Sequence, residues 1–134
     1  MKKALVILWM LATLAPALAQ AGERVSLRLV RADNEAGASS PSLGSLVQTL
    51  QRNLPYRRFT EVSANSLPLP GRGGVPLGEL RVFCRGPQDN LSVTVKRAGN
   101  TLVQTRVRLR DGQPVIVGGF PDGQARLLIV LVSG

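Results

Sequence analysis

Three turn signatures in the second half of the chain constrain its fold more than any other feature. Ala98-Gly99-Asn100, Asp111-Gly112 and Asp122-Gly123 each separate two short apolar runs. Tight turns need residues that accept positive φ, which is why Asp-Gly and Gly-Asn pairs mark hairpins. The runs around them keep a period of two. Leu80, Val82 and Cys84 alternate with Arg81 and Arg85, and Leu91, Val93 and Val95 share one face. Val103, Thr105, Val107 and Leu109 stand opposite Gln104, Arg106, Arg108 and Arg110. Such alternation is the mark of half-buried strands. With "PVIVGGF" and "ARLLIVLV" closing the chain, residues 91–132 read as a four-stranded antiparallel meander. Leu127 to Val132 is apolar at every position, which predicts a central strand covered on both faces. Gly118 and Gly119 interrupt the run before it and predict a bulge or a close backbone approach.

The first half is less regular. Val25, Leu27 and Leu29 against Ser26 and Arg28 predict a strand with one wet face. In "SPSLGSLVQTLQRNL", Ser40 is placed as an N-cap and Pro41 as the first helical residue. Leu43, Leu46, Val47, Leu50 and Leu54 then form one stripe, predicting an amphipathic helix over 41–54 that packs on the sheet and ends at Pro55. Residues 59–69 read as a weak strand, pushed to an edge by Pro68. "PGRGGVPLG", residues 70–78, reads as a loop, because Pro and Gly dominate it. The expected class is mainly β (α+β): an antiparallel meander or small β-sandwich with one amphipathic helix. The expected core is Val25, Leu27, Leu29, Leu43, Leu46, Val47, Leu50, Leu80, Val82, Val93, Val95, Val107, Leu109, Val117, Leu128 and Val130.

The N-terminus has the three-part layout of a secretory signal peptide: a basic "MKK", a short apolar run, and Ala17-Leu18-Ala19 as a small-x-small cleavage site. Residues 1–19 are read as that leader and 20–134 as a single exported domain, periplasmic or secreted from a bacterium. No later segment approaches the roughly 20 apolar residues of a bilayer span, so no transmembrane segment is expected after cleavage.

Beyond the leader remain fourteen arginines and Lys96 against eight acids, a formal charge of +7. That balance is compatible with an anionic partner, although Arg in place of Lys almost throughout is also what a GC-rich genome produces, and export weighs against nucleic acid. The chain has no His and one Cys. It therefore lacks the commonest general base and zinc ligand, and cannot form an internal disulfide or thiolate cluster. The reading is non-catalytic, with no cofactor and no metal. Arg106, Arg108 and Arg110 form an arginine ladder, either a docking face for an anion or partner protein or a solvated face that discourages sheet aggregation. Tyr56, Arg57, Arg58 and Phe59 form a basic-aromatic cluster, whose rings are alternatively core under the helix end. Cys84 reads as a small buried hydrophobe, with an intermolecular disulfide as the other option.

"VRLRDGQPVIVGGF", residues 107–120, resembles a hairpin of the bacterial secretins, carried here by Asp111, Gly112, Val115, Val117, Gly118, Gly119 and Phe120. The chain from the "SPSL" helix to the "VGGFP" strand also resembles small exported bacterial β-rich proteins of unassigned role. The first resemblance implies association with an envelope secretion or pilus system. The expected function is a binding or assembly module for another envelope protein, acting by strand addition near residues 60–68 or through the arginine ladder. The alternative is a binder of an anionic surface (lipid headgroups, lipopolysaccharide or acidic glycan) through that ladder.

Overall fold

The computed structural model describes residues 24–134. The expected leader, residues 1–19, lies outside them. Eight strands follow in chain order: β1 (Arg24–Asp33), β2 (Arg58–Pro68), β3 (Gly71–Leu77), β4 (Leu80–Gly86), β5 (Leu91–Arg97), β6 (Asn100–Val107), β7 (Val115–Asp122) and β8 (Ala125–Ser133). One helix, α1 (Leu46–Asn53), lies between β1 and β2. The strands form two four-stranded sheets, a first of order β2-β1-β8-β7 and a second of order β3-β4-β5-β6. Every strand pair is antiparallel. The fold is a small β-sandwich of the mainly β class, with one helix packed on it. No helix among the described residues is long and apolar enough to cross a membrane.

Period-two patterning builds the space between the sheets. Val25, Leu27 and Leu29 of β1 and Leu127, Ile129 and Leu131 of β8 meet Leu80, Val82 and Cys84 of β4 and Leu91, Val93 and Val95 of β5 in one cluster. A second cluster occupies the opposite face of the first sheet. There Val30, Ala32, Phe59, Leu128 and Val130 lie beneath Leu43 and Leu50. β8 is therefore buried on both faces, as its unbroken apolar run predicts, and sits between β1 and β7. β1 is wet on only half of its second face: Val30 and Ala32 are covered, while Ser26 and Arg28 lie beyond them. Leu46 and Val47, read as core, are partly buried at the margin of the helix cluster, and Val107 is partly buried against the inter-sheet core.

Five expectations are corrected. The meander spans β3 to β6, not residues 91–132, because β7 joins the other sheet. Asp111-Gly112 is not a hairpin turn but part of the crossing between sheets, with the Gly112 N–H donated to the Ser133 carbonyl at 3.0 Å. Residues 70–78 are not a loop, since β3 occupies Gly71–Leu77 as an edge strand. An edge tolerates Pro76, and a bare Gly71 lets the backbones close: a Cβ there would stand 2.8 Å from the Cys84 carbonyl oxygen. The helix is also shorter than 41–54. A 3-10 turn at Pro41–Leu43 ends at Gly44, with φ +54°, before α1 begins. Ser40 makes no helix cap; its hydroxyl accepts from the Glu61 N–H at 2.9 Å instead.

Candidate basic face

The candidate site is the outer face of the second sheet, and cross-strand register assembles it. Arg72 lies opposite Arg85, Arg85 opposite Ser92, and Ser92 opposite Arg106. Two residues along each strand pair, Gly74, Phe83, Thr94 and Gln104 form a second transverse row. Pro76, Arg81, Lys96 and Thr101 form a third. All twelve are exposed or partly exposed. Their strand neighbours Val82, Cys84, Val93 and Val95 enter the core.

The electrostatics of this face are one-sided. It carries Arg72, Arg81, Arg85, Lys96 and Arg106, and no acid lies in β3, β4, β5 or β6; Glu79, in the turn between β3 and β4, shares a pocket with Arg81, Phe83 and Lys96 at one end of it. The ion pairs among the described residues use Arg28, Arg31 and Arg58, all on the first sheet. Two like-charge pairs, Arg72 with Arg85 and Arg81 with Lys96, stand directly opposite each other across strands. Such pairing destabilises a sheet unless something neutralises it. Between the cationic rows lies Phe83, with Lys96 Nζ 5.5 Å and the Arg81 guanidinium carbon 5.9 Å from its ring centroid. Both distances fall in the cation–π range. The ring rests on Gly74, where a Cβ would come within 2.5 Å of Phe83 Cδ1. A groove of ≈ 370 Å³ opens here, lined chiefly by Phe83, Arg85, Ser92, Thr94, Lys96 and Gln104.

The arginine ladder is distributed differently from expectation. Arg106 belongs to β6 and to the basic face, whereas Arg108 and Arg110 lie past the strand end at Val107. All three are exposed. β6 stops there because the chain finds other partners: the Leu109 N–H is donated to the Gln88 carbonyl at 2.9 Å, and Gln88 Nε2 donates to the Leu109 carbonyl at 3.1 Å. The other members of the face, Arg72, Arg81, Arg85, Lys96 and Phe83, are found only through register. Outward parity in β4 and β5 was the available signal for all of these but Arg72, which lies in β3.

The Tyr56–Phe59 cluster divides by role. Phe59 is fully buried beneath the helix, and Tyr56 packs partly buried against the same cluster. Arg57 is exposed. Arg58 is an internal strut: its Nε and Nη2 donate to the two carboxylate oxygens of Asp33 at 3.0 and 2.8 Å, and Nη2 also reaches Glu35 at 2.9 Å. Asp33 is a buried residue at the end of β1. The Arg58 hydrogen bonds hold its carboxyl below the ordinary value of 3.8, against the opposing effect of burial, and Asp33 in turn raises the Arg58 pKa. A depressed carboxyl stabilises the fold in full above its unfolded pKa and loses that contribution as pH falls through the folded one. The thermal midpoint of the wild type should therefore fall more steeply below about pH 4 than that of Asp33→Asn, with the wild type the more stable of the two at pH 7. Melting curves across that range check both signs.

Part of the edge near residues 60–68 is already engaged. The Phe59 N–H is donated to Ser39 Oγ at 3.0 Å, and the Phe59 carbonyl accepts from the Ser40 N–H at 2.9 Å. The Ser66 N–H goes to Asn65 Oδ1, and Pro68 has none to offer. The register also shifts at Val62, between the pairs made by Glu61 and Ser63. An added strand would meet these engaged groups and the break in register. Cys84 is 1% exposed, and burial pushes its thiol up to about 11. Disulfide exchange needs an accessible thiolate, so an intermolecular disulfide would require this strand to open.

Among the described residues, no group of three or more His, Cys, Asp or Glu is gathered to hold a metal ion. No family model, curated protein or solved structure matches this chain.

Proposed function

We propose that the chain is an exported, non-catalytic binding module that docks an anionic partner through the outer face of its second sheet. The observation that carries this reading is the set of five cations aligned across four strands that themselves hold no acid. A solvated face that only prevents aggregation would need charge, but it would not need like charges held directly opposite each other. Docking takes precedence over strand addition near residues 60–68, because the Phe59, Glu61 and Ser66 N–H groups along that edge are already donated to Ser39, Ser40 and Asn65. In an extracytoplasmic setting such a face would meet an acidic envelope component.

The test separates patch from net charge. Arg81→Gln with Arg85→Gln removes two charges from the face, while Arg52→Gln with Arg57→Gln removes two exposed charges elsewhere. Binding to immobilised poly-L-glutamate at about 50 mM salt should drop at least ~10-fold for the first pair and about twofold or less for the second. Wild-type binding should fade over a few hundred millimolar salt, as screening shortens the range of the field. Equal losses in the two double variants would reduce the reading to bulk charge.

A further inference from the structure

The three rows of the basic face differ in chemistry, and the difference selects among anionic partners. The outer rows are cationic: Arg72, Arg85 and Arg106 on one side, Arg81 and Lys96 on the other. A two-residue step along a strand is about 6.7 Å, so the rows stand about 13 Å apart. The row between them is uncharged and offers Thr94 and Gln104 beside the half-buried ring of Phe83. Ser92 and Thr101 add hydroxyls within the charged rows themselves.

A lipid surface would require apolar side chains able to enter the acyl boundary. The exposed large hydrophobics among the described residues are Val62 and Leu102; Val62 belongs to the first sheet and Leu102 to none of the three rows. A protein partner would want a broad apolar centre with a polar rim, and here the central row offers a single half-buried ring, Phe83, beside the polar Thr94 and Gln104. What fits is a chain that alternates acidic and hydroxyl groups and presents flat C–H faces. Guanidinium forks take carboxylates bidentately. Thr, Ser and Gln exchange hydrogen bonds with hydroxyls, and an aromatic ring supplies an apolar platform.

We propose that the face binds an acidic polysaccharide, with carboxylate-bearing sugar units lying across the four strands in the trough between the two cationic rows. This rests on the anion-docking reading and names its occupant. The carboxylates neutralise the opposed Arg72/Arg85 and Arg81/Lys96 pairs, and a sugar face lies against Phe83.

The experiment compares three probes by calorimetric titration at about 50 mM salt: an oligogalacturonate, poly-L-glutamate of matched charge, and phosphatidylglycerol vesicles. The oligogalacturonate should bind at least ~10-fold tighter than poly-L-glutamate. Phe83→Ala should weaken the sugar about fivefold or more and leave poly-L-glutamate unchanged. Arg85→Gln with Lys96→Gln should lose both ligands yet melt at a higher temperature than wild type when no ligand is present, because the opposed charges are gone. That last readout also reports whether the variant folds. Equal affinity for the two polymers, or a preference for vesicles, would overturn the polysaccharide assignment and leave anion docking standing. Failure of the wild type to bind any of the three would overturn both.

Discussion

Ile129→Ala is expected to lower the unfolding free energy by about 3–5 kcal/mol, the upper part of the range for truncating a fully buried Ile or Leu. Ile129 is 0% exposed, sits in the strand between β1 and β7, and lies at the centre of the inter-sheet cluster. Neither flanking strand can move in to fill the space without breaking its own ladder, so the cavity term should be large. For a domain with a typical stability of about 5–15 kcal/mol, that is a large fraction of the whole. Leu128→Ala removes the adjacent side chain, which belongs to the helix-covered cluster on the opposite face. Its cost should be of the same order and should add to that of Ile129→Ala within about 0.5 kcal/mol if the two clusters relax independently. Denaturant unfolding of the single and double variants checks both statements. A cost for Ile129→Ala below about 1 kcal/mol would mean that β8 is not the central strand of a packed sandwich.

The role of β8 was legible because only a strand covered twice has reason to be apolar at every position. The inward faces of β1, β4 and β5 were legible for a simpler reason, since period two leaves Val82 and Val93 no other place. Local patterns failed where a segment's structure is decided by what it packs on. β3 looks like a loop in isolation. Its Gly71 and Gly74 are instead places where the Cys84 backbone and the Phe83 ring approach too closely for a side chain. Asp111-Gly112 has hairpin chemistry yet bridges two sheets, because Gln88 engages Leu109 and Asp111 and draws the chain away from β5. The basic face was only half visible. The outward parity of Arg81, Arg85 and Arg106 can be read along each strand, but their alignment into rows depends on register. The place of Arg72 beside Arg85 depends further on β3 being a strand.

Gly118→Ala should cost about 2–4 kcal/mol, and its neighbour separates the two reasons why. Gly118 has φ +128°, a region costly for any residue with a side chain, and an added Cβ would lie 2.9 Å from both the Leu127 carbonyl oxygen and Phe120 Cε2. Strain of about 1–3 kcal/mol is then compounded by a clash with the backbone of β8, which cannot yield without disturbing its pairing. Gly119 has φ +100° but nothing within 4 Å of its Cβ position. Gly119→Ala therefore carries the conformational cost alone, about 1–2 kcal/mol. The register shift between Gly118 and Phe120 is the bulge that this pair of glycines makes possible, and it turns Phe120 into the inter-sheet core. Equal costs at the two positions would mean that backbone conformation alone demands the glycines. A larger cost at Gly118 would assign the excess to the approach of β7 onto Leu127, which chemical denaturation of the two variants measures directly.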